Sequence, residues 1–144
     1  MTYQNVMVPY DGSDHARKAL HQASAILALQ GKGTLTLAAV CNIVPSYYSA
    51  DGLNHYFETH AEETEAEEKG MLDEARSMVP DGIEVKTVFR VGETAPALLE
   101  VAKEAEADLI IVGTHGRHAF KSMLLGSVSR YLVLHADCPV MVVR

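Results

Sequence analysis

The sequence predicts an α/β fold: a single doubly wound, five-stranded parallel sheet in the order 3-2-1-4-5, with helices on both faces. Three observations predict it. Short apolar runs alternate with stretches whose apolar residues step by three and four, the pattern of βαβ units and one parallel sheet. The first and fourth runs, residues 4–9 and 108–113, are the most apolar and suit central strands buried on both faces. The third, residues 83–91, sets Ile83, Val85, Thr87, Phe89 and Val91 against the mostly polar Glu84, Lys86, Val88 and Arg90, which suits an edge. Right-handed crossovers leave few other topologies.

Each element has its own local reason. Residues 4–9 form an apolar-centred run stopped by Pro9, and Tyr10-Asp11-Gly12-Ser13 is the turn after it. From Asp14, the positions Ala16, Ala19, Leu20, Ala23, Ile26 and Leu27 describe an amphipathic helix that ends near Gly31, with Ser13 or Asp14 as its N-cap. Residues 33–40 read as the second strand, and residues 41–54, with Pro45, Tyr47, Tyr48 and Gly52, as a loop. A long acidic helix follows: Phe57, Ala61, Thr64, Met71, Leu72, Ala75 and Met78 fall near one stripe, and Pro80-Asp81-Gly82 ends it. After the third strand a helix starts at Glu93 with Pro96 in its first turn. The fourth strand leads into a Gly- and His-bearing stretch. Ser127 then opens a last helix through about His135, and residues 138–143 are the fifth strand.

The chain has 144 residues, 48% of them hydrophobic and 22% charged, which suits a single domain over residues 1–144 with a substantial core. No apolar run approaches the roughly 20 residues of a membrane helix. The opening residues lack the basic and apolar regions of a signal peptide, so a soluble cytoplasmic protein is expected. The net charge of −7 is carried entirely by residues 46–80, where nine acids stand against Lys69 and Arg76. No cluster of Lys and Arg marks a nucleic-acid surface, and the acidic run reads as the solvated face of one helix. Cys41 and Cys138 would lie three strands apart, roughly 14 Å, too far for a disulfide.

In the order 3-2-1-4-5 the winding reverses between strands 1 and 4, and ligands of open α/β sheets sit at that point. Gly113-Thr114-His115-Gly116 leaves the fourth strand there, and nine residues later Gly126-Ser127-Val128-Ser129 begins a helix. Glycines let a backbone approach a ligand closely. A helix start offers unpaired N–H groups, here expected at Gly126 and Ser127, with the helix dipole behind them, and such a terminus binds phosphate. The hydroxyls of Ser127 and Ser129 are expected to add bonds to phosphate or to its metal. Between Gly113 and Arg130 there are three basic residues, Arg117, Lys121 and Arg130, and no acid, so an acidic chain turns positive where an anion would lie. Asp11 can accept bonds from a ribose hydroxyl or an exocyclic amine.

The spacing Gly113-x2-Gly116-x9-Gly126-Ser127 resembles the nucleotide motif of the universal stress protein family, Gly-x2-Gly-x9-Gly-(Ser/Thr). The opening Val-Pro-Tyr-Asp-Gly-Ser and the closing His-Ala-Asp-Cys-Pro-Val-Met-Val-Val are similar to that family's ends, so the resemblance covers the whole chain. It implies ATP binding (or AMP or ADP), with Mg²⁺ or Mn²⁺ held mainly by the phosphates. Pro9, Asp11 and Val40 would contact the nucleoside, Gly113 and Gly116 the ribose and phosphates, and Gly126, Ser127, Val128 and Ser129 the phosphates. Arg117 joins them on charge.

Other chemistries find no pattern. Gly31-Lys32-Gly33-Thr34 lacks the P-loop spacing and precedes a strand, no Gly-x-Gly-x-x-Gly appears, and the seven histidines show no zinc spacing. No catalytic or metal-ligating residue is assigned. The expected function is a nucleotide-dependent regulator of the stress response; the alternative is a slow ATPase or phosphotransferase at the same site, for which no residue that would orient water stands out. From Pro139 to Val143 the last strand is apolar on both faces yet lies at an edge, which predicts a homodimer through it.

Overall fold

The computed structural model describes residues 2–42, 51–116 and 125–144. Five strands, β1 (Asn5–Pro9), β2 (Thr34–Cys41), β3 (Glu84–Val91), β4 (Leu109–Gly113) and β5 (Val140–Val143), form one parallel sheet in the order β3-β2-β1-β4-β5. Four helices connect them: α1 (Asp14–Gln30), α2 (Asp51–Ser77), α3 (Thr94–Glu104) and α4 (Ser127–His135). The predicted order and element sequence are those observed.

Strand alternation divides the core in two. Val6, Val8, Leu35, Leu37, Ala39, Leu109 and Ile111 point to one face and pack with Leu20 and Leu27 of α1 and Leu72 and Ala75 of α2. Met7, Ala38, Ile110 and Val112 point to the other and pack with Leu98 and Val101 of α3 and Leu132 of α4. β1 and β4 are thus buried on both sides, which is why they read as unbroken apolar runs. β3 gives Val85 and Phe89 to the first cluster and Val88 to the second, with Glu84 exposed.

Local devices fix the ends that matter. Ser13 is the N-cap of α1, its Oγ accepting from Ala16 N at 3.2 Å, and Asp11 Oδ1 accepts from Ser13 N at 2.9 Å. Asp108 clips the amino ends of β1 and β4 together by accepting from Gln4 N and Asn5 N at 2.7 and 3.1 Å. Two expected boundaries shift. Helix α2 already spans Asp51–Ser77, so residues 51–54 are helical and not loop; a single Gly inside a helix costs only about 1 kcal/mol, so Gly52 does not end it. β5 begins at Val140 and not at Cys138, since Pro139 has no N–H to give a ladder. The Tyr47–Tyr48 loop lies outside the described residues. No disulfide joins Cys41 and Cys138. No described helix is long and apolar enough to cross a membrane.

Candidate functional site

A cleft of about 690 Å³ opens at the carboxyl ends of β1, β2 and β4, where the winding reverses. Its floor is apolar: Pro9, Ala38, Val40, Leu98, Val112 and Val128. Tyr10 lines it too; burial pushes its phenol above the ordinary value.

One residue assembles the phosphate-facing end. Thr114, 5% exposed, follows β4 and bonds in four directions. Its N–H donates to Val143 O of β5 at 2.9 Å, and its carbonyl accepts from Gly126 N at 2.6 Å and from Ser129 Oγ at 3.1 Å. Its hydroxyl meets His15 Nδ1 of α1 at 3.1 Å. β5, α1 and the start of α4 are thereby tied to the end of one central strand.

The α4 terminus that results differs from expectation in detail. Gly126 N–H is taken by Thr114, so it is not among the unpaired donors. The Ser129 hydroxyl is turned inward, donating to Thr114 O and Gly126 O, and the residue is 2% exposed; what it offers a ligand is its backbone N–H. Arg130 N makes the first intrahelical bond, to Gly126 O. The N–H groups of Ser127, Val128 and Ser129 therefore find no acceptor in the helix, the N-cap has no side chain to supply one, and the first turn carries no acid. Their positive ends and the helix dipole suit an anion.

The motif glycines are held first by the protein itself. A Cβ on Gly113 would lie 2.7–2.9 Å from the Cβ, C and O atoms of His15, so only glycine lets α1 close against β4. A Cβ on Gly116 would lie 2.6 Å from Asp11 Oδ2, which brings the β1 and β4 turns together. On Gly126 it would lie 3.0 Å from Thr114 O.

All but one of the sequence-predicted residues line this cleft: Pro9, Asp11, Val40, Gly113, Gly116, Gly126, Ser127, Val128 and Ser129. Arg117 lies outside the described residues. The cleft also recruits Cys41, Asn42, Thr64, Glu68, Thr94 and His115. His115, between the motif glycines, is a plausible ligand contact from the sequence; Thr64 falls on the inward stripe of the acidic helix, and Glu68 of that helix carried no signal.

The universal stress protein family model matches residues 2–144. The chain belongs to the universal stress protein family. The universal stress protein YxiE of Bacillus subtilis is 32% identical over 148 residues, covering 99% of both chains. The structure of the universal stress protein UspA from Lactobacillus plantarum superposes with a TM-score of 0.87 at 28% identity, covering 100% of this chain and 99% of that one. A universal stress protein solved in complex with cAMP superposes with a TM-score of 0.64 at 29% identity, covering 100% and 98%.

Gly113 and Gly116 should separate on substitution. Gly113→Ala meets helix backbone and is expected to lower stability in urea unfolding by about 1–3 kcal/mol, as overpacked sites do. Gly116→Ala meets only a carboxylate oxygen and should unfold close to the parent. Equal losses would contradict the assignment of Gly113 to the α1–β4 contact.

Proposed function

We propose that the chain binds ATP in this cleft and acts as a nucleotide-dependent regulatory protein of the stress response in the cytoplasm. The observation that carries the reading is the set of N–H groups at Ser127, Val128 and Ser129 with no acceptor among the described residues, opening onto the cleft at the carboxyl ends of β1 and β4. The phosphates lie against those groups and beside Gly126, the ribose and phosphates beside Gly113 and Gly116, and Arg117, which lies outside the described residues, adds charge. The nucleoside lies over Pro9 and Val40, with Asp11 accepting from a ribose hydroxyl or the adenine amine. A carboxylate suits the nucleoside's donors and would repel phosphate at contact. The family member solved with cAMP supports an adenine nucleotide, and AMP or ADP would use the same contacts.

Among the described residues no group of three His, Cys, Asp or Glu side chains could hold a metal ion. Mg²⁺ or Mn²⁺ entering with ATP would be held mainly by the phosphates, and the exposed Ser127 hydroxyl at the helix start could add an oxygen ligand. The metal supplies charge neutralisation.

The same reading includes a homodimer through β5. Pro139 and Val143 carbonyls accept from Ile110 of β4 and from Thr114 just after it at 3.0 and 2.9 Å. Alternate residues of a strand face one neighbour, so Val140 and Val142 turn their peptide groups to the open edge. A two-fold partner strand would accept and donate there and cover the half-buried valines.

Two variants test these proposals. Ser127→Asp puts an acid at the first position of α4, which favours the helix by about 0.3–1 kcal/mol. Its carboxylate occupies the anion site, where like charges at contact cost about 1–4 kcal/mol, so ATP affinity should fall about tenfold or more with melting temperature held. Unchanged affinity in calorimetry would place the phosphates elsewhere. Val142→Pro removes an outward donor and leaves the bonds to β4. Light scattering should find a dimeric parent and a monomeric variant; a monomeric parent at high concentration sinks the dimer.

A further inference from the structure

We propose that His115 is a charge partner of the nucleotide phosphates and that the cleft takes up a proton with its ligand. This rests on the nucleotide reading and adds the regulation of that site by pH.

His115 lines the cleft between Gly113 and Gly116. Its Nδ1 is buried and has no hydrogen-bond partner among the described residues. A Cβ built on Gly126 would lie 3.5 Å from His115 Cα and 3.7 Å from its Nδ1, so the imidazole adjoins the start of α4 and its three unaccepted N–H groups. A second imidazole backs the first. The His15 ring stands at 5.7 Å and 84° to that of His115, and its Nδ1 is fixed by Thr114 Oγ1 at 3.1 Å. An imidazolium edge against an imidazole face is attractive, so the His15 ring can support a charge on His115 when an anion binds.

The charged groups around the pair come from every neighbouring element. Asp11 reaches Gly116 from the turn after β1, and Glu68 lines the cleft from α2. Arg17 lies two residues from His15 on α1, bridged to Asp14. Arg130 stands in the first turn of α4, and Arg144 ends the strand beside β4. A polyphosphate adds several negative charges beside the ring, the largest single change. The anion favours the charged imidazole, so binding takes up a proton. Affinity therefore rises as pH falls through the imidazole range and drops above it. His115→Gln keeps a polar side chain and removes the titration.

The test is calorimetry of Mg²⁺–ATP with the parent and His115→Gln, at about pH 6 and about pH 8, either side of the ordinary imidazole range. Each pH is run in two buffers of different ionisation heat. Titration of ATP itself is common to both proteins and cancels. The parent should take up more protons than the variant. The parent-to-variant affinity ratio should be about tenfold larger at the lower pH, the equivalent of one pKa unit. Equal proton uptake and an equal ratio at both pH values overturn the proposal. A parent that binds at neither pH overturns the nucleotide reading and this proposal with it. Nitrogen-15 resonances of the parent's histidines give a check without a variant: the His115 ring should titrate at higher pH with Mg²⁺–ATP than without it, and an unmoved titration contradicts the proposal.

Discussion

The cleft depends on the backbone of Thr114. A parallel sheet leaves the carboxyl ends of its strands with peptide groups that the ladder no longer satisfies. At the end of β4 those groups are used to join parts: the Thr114 N–H holds β5, and its carbonyl holds both Gly126 and Ser129 at the start of α4. The hydroxyl reaches α1 through His15. Because Gly126 N–H is tied back in this way, the following three N–H groups stand clear at the cleft instead of fraying into solvent.

That joint gives the cleft a polarity. It is lined by helix N–H groups whose first turn is free of acids and by the carboxylates of Asp11 and Glu68. Pro9, Ala38, Val40 and Leu98 make an apolar floor. A ligand with an anionic tail, a donor-bearing middle and a flat apolar head satisfies all three regions at once, and a nucleotide is such a ligand. The two core clusters hold α1 and α4 on opposite faces of β1 and β4, where the winding of the sheet reverses.

Much of this was legible in the residues. The sheet order followed from which strands were apolar on both faces, and α4 begins at Ser127 and ends at His135 as its pattern predicts. The segments that the glycine spacing marks lie together at one cleft. What the spacing could not convey was the use of those glycines by the protein: Gly113 admits the backbone of His15 and Gly116 admits the carboxylate of Asp11. Nor could periodicity reveal the contact of His15 with Thr114, which are 99 residues apart, or the inward turn of the Ser129 hydroxyl. Such features are consequences of packing, and local pattern carries no record of them. Glu68 was hidden for the opposite reason: in a helix crowded with acids, nothing distinguishes the one that reaches the cleft.

The central claim is that the start of α4 receives the phosphates of an adenine nucleotide. Backbone amide shifts of the isotopically labelled protein, followed as ATP is added, test it most directly. The account predicts that the amides of Ser127, Val128 and Ser129 move furthest, downfield, as they gain an acceptor, with smaller changes at Asp11 and Val40. Saturable binding whose shifts leave those three amides unmoved would contradict it.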